Sequence, residues 1–172
     1  YQGINLLFEG FRLAADEGCR GNIVIIGGTE EAIDEYREVA KRLEIDQNVY
    51  FCGPRPIEKL GHYLAQADIL LSPRDQGNNT PMKLYSYLGS GKAVLATDLL
   101  THTQVLTSEF ACLVPPTPEG MASGFKRLVS DKPLRERLGR RGMDVANERF
   151  SLKAYRKKLK DFHLHIISSL KT

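Results

Sequence analysis

The chain alternates between two hydrophobic periods. Ile4, Leu7, Phe8, Phe11 and Ala15 recur at helical spacing, and Gly18 ends that run. Residues 23–26 are continuously apolar over a strand's length and close on Gly27 and Gly28. Thr29 then caps a helix whose Ile33, Tyr36, Val39, Ala40 and Leu43 face one way. Residues 49–52 form the next strand, ending at Gly53-Pro54-Arg55-Pro56, and a helix follows through Ile57, Leu60, Tyr63, Leu64 and Ala67. Ile69, Leu70 and Leu71 make a third strand. A loop dense in turn residues runs from Arg74 to Asn79. Thr80 is the expected N-cap of the next helix, with Pro81 at its first position, Met82, Leu84, Tyr85 and Leu88 within it, and Gly89 to Gly91 as its stop.

The second half continues the alternation and then abandons it. Residues 93–96 form a strand, residues 101–106 (THTQVL) a short helix, and residues 111–114 a strand closed by Pro115-Pro116. Three helices follow. One starts at Thr117-Pro118-Glu119 and carries Met121, Phe125, Leu128 and Val129. The next starts at Asp131 and runs through Leu134, Leu138, Met143 and Val145. The last starts at Ser151, with Leu152, Tyr155, Leu159, Phe162, Ile166 and Leu170 on one face. Repeated strand–helix units predict an α/β fold, with a mainly parallel sheet between two helical layers and right-handed crossovers. The expected organisation is a Rossmann-like domain over residues 1–150, with a C-terminal helix over 151–172. A doubly wound domain seldom opens on a helix, so a first strand is expected before Tyr1.

Composition narrows the functional classes. A length of 172 residues suits one well-buried core, and a net charge of only +3 does not argue for nucleic acid. No apolar run reaches the length of a membrane span. The 3 cysteines, Cys19, Cys52 and Cys112, are scattered without metal-ligand spacing, and the 4 histidines likewise, so free thiols in a reducing, cytoplasmic compartment and no metal are expected.

Parallel sheets bind ligands outside the C-terminal ends of their strands. Three such ends carry polar chemistry: Gly27-Gly28, Gly53-Pro54-Arg55, and the loop from Pro73 to Thr80. Backbone amides near Thr80 and Lys83, the Thr80 hydroxyl, Lys83 and Arg74 are candidate anion donors. Thr80 also serves as a plain helix cap, and a lysine in a first helical turn is disfavoured unless an anion is present. Gly27-Gly28 is equally a simple turn, and Arg55 equally a surface arginine. His102 follows the strand beyond the site helix and is placed to face the cleft, whereas His62, His163 and His165 read as surface or packing residues. The basic C-terminal third (Arg135, Arg137, Arg140, Arg141, Lys153, Arg156, Lys157, Lys158, Lys160) is a solvated face or a contact for anionic lipid head groups.

The pieces together resemble the C-terminal, nucleotide-sugar-binding domain of a two-Rossmann-domain (GT-B) glycosyltransferase of retaining family 4, which includes sucrose and glycogen synthases. The resemblance rests on residues 1–4 (YQGI), 25–28 (IIGG), 49–54 (VYFCGP), 67–73 (ADILLSP), 84–97 (LYSYLGSGKAVLAT) and 111–115 (ACLVP), in that order. It implies transfer of a hexose from a UDP-, GDP- or ADP-linked sugar, without a metal or other cofactor. It also implies an N-terminal partner domain holding the acceptor, peripheral contact at the inner membrane face, and no turnover by this half alone. The implied donor-site residues are Gly27, Gly28, Arg55, Arg74, Asn78, Asn79, Thr80, Lys83 and Ser86. Two family glutamates are absent: counted back from Gly91, they fall on Asn78 and Ser86. The family's lysine at the first helix start is Gln2 here, and its arginine partner is expected before Tyr1. The alternative is a degenerate domain of the same fold that binds or scaffolds without catalysis. A receiver-type domain is disfavoured, because no acidic cluster marks the strand ends.

Overall fold

The computed structural model describes residues 2–169. Five parallel strands and eight α-helices follow in the predicted order: α1 (Ile4–Asp16), β1 (Ile23–Ile25), α2 (Glu30–Arg42), β2 (Val49–Phe51), α3 (Leu60–Gln66), β3 (Ile69–Ser72), α4 (Lys83–Gly89), β4 (Ala93–Thr97), α5 (Leu100–Thr103), β5 (Cys112–Val114), α6 (Pro118–Ser130), α7 (Lys132–Val145) and α8 (Leu152–Ser169). The strands pair in two groups rather than one continuous ladder. β1 lies beside β2, with Ile23 opposite Val49, and β3-β4-β5 form the second group, with Ile69 opposite Ala93 and Leu95 opposite Cys112. Strands of three to five residues carry few ladder bonds. Packing must therefore supply the rest of the order.

That packing reads directly from the period of two along β4, whose five residues are all buried. Ala93 and Leu95 face a core built with Leu7, Phe8 and Phe11 of α1, Ile23, Val49, and Met121, Phe125 and Leu128 of α6. Val94 and Ala96 face the opposite core, with Leu84 and Leu88 of α4, Leu106, Phe110 and Val145. The first core takes side chains from both strand groups, so it joins what the backbone ladder leaves separate. Helix α1 meets α6 closely because Gly10 has no side chain; a Cβ there would overlap the Met121 Cβ.

Three local readings differ from expectation. The helix expected to start at Pro81, capped by Thr80, starts at Lys83. Pro81 and Met82 instead form a turn in which the Leu84 amide donates to the Pro81 carbonyl at 3.1 Å. The segment from Ile57 opens as a 3₁₀ turn, Ile57–Lys59, before α3. The helix through Val145 runs on into a π-turn, Ala146–Phe150. On α8 the predicted stripe is exposed, with Leu152, Tyr155, Leu159 and Phe162 each more than half accessible, whereas Leu170 lies outside the described residues. No described helix is long and apolar enough to cross a membrane.

Candidate functional site

Loop 73–80 leaves the C-terminal end of β3 and returns to α4. Its first residues are buried, and its tip, from Asp75 to Asn79, is exposed. Arg74 is only 8% exposed. Its Nη1 donates to the Asn79 carbonyl at 2.6 Å, so part of the guanidinium braces the loop across its own tip. The Arg74 carbonyl accepts from Thr97 Oγ1 at 2.6 Å, which ties the same residue to the end of β4.

Lys83, the first residue of α4, reaches back toward β3. Its Nζ lies 3.5 Å from the Leu71 carbonyl and 5.8 Å from the centroid of the Tyr87 ring. Burial, and then repulsion by Arg74, push its pKa down to about 8. Among the described residues no carboxylate offsets either effect. Two cationic side chains thus lie near one another in a largely buried corner, where their repulsion is weakly screened.

The open end of α1 borders the same corner. Gly3 caps it in the left-handed conformation, at φ 71°, and among the described residues no side-chain cap bond reaches its first turn. A Cβ at this position would overlap the Pro73 carbonyl oxygen and lie 3.1 Å from the Arg74 Cα. The positive end of a 13-residue helix is therefore pressed against the start of the loop. Helix α4 likewise has no side-chain cap among the described residues. The Thr80 hydroxyl, expected to cap it, instead donates to Gln104 Oε1 at 2.6 Å. The cause is simple: the helix begins two residues later than expected, with Met82 at its N-cap, beyond the reach of that hydroxyl.

His102 does not face an open cleft. It is completely buried beneath the loop. Its Nδ1 lies 2.8 Å from the Thr97 carbonyl and 3.1 Å from Thr97 Oγ1, and its Nε2 lies 2.9 Å from Ser72 Oγ. A carbonyl only accepts, so Nδ1 carries the proton and the Ser72 hydroxyl donates to Nε2. This is the neutral imidazole. Its pKa is pushed below the usual histidine value, chiefly by burial and further by Lys83 and Arg74, against the opposing effect of the Thr97 bond. Buried in this way, His102 has no path to a ligand as an acid or base.

The expected residues fall into two groups. Arg74, Asn79, Thr80 and Lys83 come together in the loop and α4, with Asn78 exposed at the loop tip and Ser86 exposed one turn beyond Lys83. Gly27 and Gly28 belong to the β1–β2 edge, at φ 106° and 90°. There the Gly27 amide donates to the Gly53 carbonyl at 2.9 Å, and Gly28, Gly53 and Pro54 border an open hollow beside α2. Arg55 folds onto the Pro54 carbonyl at 3.0 Å and is exposed. The positions that local pattern missed are Gly3, Ser72, Thr97 and Gln104. The visible signals were weak: a serine ending an apolar strand, a threonine ending another, and the polar run THTQ. Among the described residues no group of three or more His, Cys, Asp or Glu is placed to hold a metal ion.

Cations, an open helix end, and neutral hydroxyl and amide donors suit a polyanion carrying hydroxyl groups. Among the described residues the arrangement holds no activated nucleophile and no carboxylate pair. Comparison with solved structures finds the same fold. HepE of Anabaena, solved in complex with UDP, superposes with a TM-score of 0.81 at 16% identity, over 96% of this chain and 46% of that one. The sucrose-phosphate synthase of Thermosynechococcus elongatus gives 0.78 at 19%, over 98% and 43%. The C-terminal domain of a group 1 glycosyl transferase, LpcC of Francisella tularensis, gives 0.75 at 20%, over 88% and 80%. The chain thus spans less than half the length of the first two and most of the isolated C-terminal domain, one Rossmann-like half of a GT-B fold. Comparison with curated protein sequences returns no match. Residues 1–131 match the family described as Glycosyl transferases group 1, and the chain belongs to that family.

Proposed function

We propose that this chain is the donor half of a hexosyltransferase, binding a nucleotide sugar whose diphosphate lies between Arg74, Lys83 and the open end of α1. One observation carries the reading: Lys83 is half-buried beside Arg74 with no described carboxylate to offset it. A diphosphate there would relieve the repulsion and meet charge-assisted donors. Those donors take the place a divalent cation would otherwise fill, so binding needs no metal. Asn78 and Ser86, both exposed on the same loop and helix, are placed to bond sugar or ribose hydroxyls. The structural neighbour HepE, solved with UDP and with UDP-glucose, supports the ligand class.

The acceptor site and any catalytic base would belong to an N-terminal partner domain, and this half alone would not turn over. The exposed stripe of α8 would seat on that domain, with the neighbouring basic residues available to anionic lipid at the inner face of a cytoplasmic membrane. A second reading is favoured by one specific feature. Asn78 and Ser86 stand where the resembled enzymes carry glutamates, as in a domain that binds or scaffolds without catalysis. Titrating the intact protein with UDP-, GDP- and ADP-sugars by calorimetry, with and without EDTA, tests the first reading. The account expects one base to bind and EDTA to leave the affinity unchanged. A gain of affinity in Ser86→Glu would mark a donor site lacking only its ribose carboxylate; no gain would favour the scaffold.

A further inference from the structure

Helix α5 is four residues long, yet Thr101 and His102 within it and Gln104 at its C-cap all lie against the same loop. His102 accepts from Ser72, the residue just before the loop. Through Thr97, which it also bonds, it is linked to the Arg74 carbonyl. Gln104 accepts from the Thr80 hydroxyl at the loop's far end. Thr101 is buried beneath the middle: its Cγ2 lies 3.8 Å from where a Cβ on residue 77 would be, and its hydroxyl has no partner among the described residues. The helix is itself anchored, because Val105 and Leu106 are buried in the core with Leu84 and Val94. The loop's two ends are therefore fastened to one small element that is fixed to the sheet.

We propose that α5 positions the donor loop, with His102 holding its entry and Gln104 its exit, so that these two residues set donor affinity without touching the donor. The inference rests on the reading of loop 73–80 as a diphosphate site. Arg74 and Lys83 flank the ligand only while the loop keeps its shape. An unclamped loop must be ordered at the moment of binding, and that cost appears as lost affinity. His102 must stay neutral and oriented to accept from Ser72. Gln104 need only offer an acceptor.

Gln104 is exposed, so its truncation does not threaten folding. In the intact protein, amide exchange over residues 73–83 and affinity for UDP would be measured together for the parent, Gln104→Ala, Gln104→Glu, His102→Gln and His102→Phe. Gln104→Ala should speed exchange in the loop and weaken UDP binding about three- to tenfold, as for one lost hydrogen bond, while Tm moves by less than about 2 °C. Gln104→Glu still accepts from Thr80 and should restore the parent's exchange rates. His102→Gln, which keeps a polar group toward Ser72, should lie between the parent and His102→Phe. Unchanged loop exchange in Gln104→Ala overturns the clamp. A loosened loop with unchanged UDP affinity overturns its role in binding. If the parent binds no nucleotide although Gln104→Ala still loosens the loop, the donor reading fails, and the positioning role fails with it while the clamp stands.

Discussion

At the scale of single residues, Lys83 joins stability and binding with opposite signs. Its pKa falls from 10.5 in an unperturbed lysine to about 8 in the fold. Between those values the unfolded chain holds more protons, so stability rises with pH from about 8 toward 10.5. A diphosphate bound as proposed would need the charged lysine, so its affinity would fall over the same range and its binding near pH 8 would take up a proton. Calorimetry in buffers of different ionisation enthalpy would read that uptake, and Lys83→Arg should abolish it, because arginine stays charged. His102 acts at the other end of the scale. Its folded pKa lies below the usual 6.5, so stability is full above 6.5 and is lost as pH falls through the lowered value. These residues also show the limit of local reading. Asn78 and Ser86 come only from the family resemblance, by counting back from Gly91 to where its glutamates fall. The destination of the Thr80 hydroxyl is not found even by that count, because its partner Gln104 lies 24 residues away. Nor does an isolated histidine in a polar run reveal that a loop will fold over it.

At the scale of elements, the most constrained junction is α1 against loop 73–80. Gly3→Ala would force a Cβ into the Pro73 carbonyl from a left-handed backbone. That conformation alone costs about 1–2 kcal/mol for a non-glycine residue, and the overlap adds to it. Chemical denaturation should show a loss exceeding that range, together with lost nucleotide binding. Phe8→Ala provides the contrast. Phe8 is fully buried and packs edge-on to Tyr36 and Phe51 in the core that joins the two strand groups, so its loss should cost about 3–5 kcal/mol. UDP affinity measured well below the new Tm should be unchanged. The elements themselves were largely legible in the sequence. Strand-length apolar runs and helical stripes report burial directly, and β4, buried on both faces, reads as the unbroken run it is. Helix starts were less legible. Thr29, Thr117 and Asp131 cap as their sequences suggest, whereas Thr80-Pro81 has the same signature and a tertiary partner overrides it.

At the scale of the whole molecule, the fold places charge at one sheet edge and leaves an apolar stripe on α8 without cover. Phe162 is 62% exposed, so Phe162→Ser should leave the stability of this domain within about 0.5 kcal/mol. In the intact protein the same change should weaken packing between the halves, read as separate unfolding transitions where the parent shows one. The chain is a member of the group 1 glycosyl transferases with Gln2, Asn78 and Ser86 where the resemblance leads one to expect a lysine and two glutamates. The central claim is that Lys83 and Arg74 are placed together for a diphosphate. The most direct test is UDP binding to the intact protein, parent against Lys83→Ala, by calorimetry at pH 7. The account predicts saturable binding by the parent and a loss of about 10- to 100-fold in the variant, as for a charge-assisted contact. Equal affinity in the two proteins, or no binding of UDP, GDP or ADP by the parent, would contradict it.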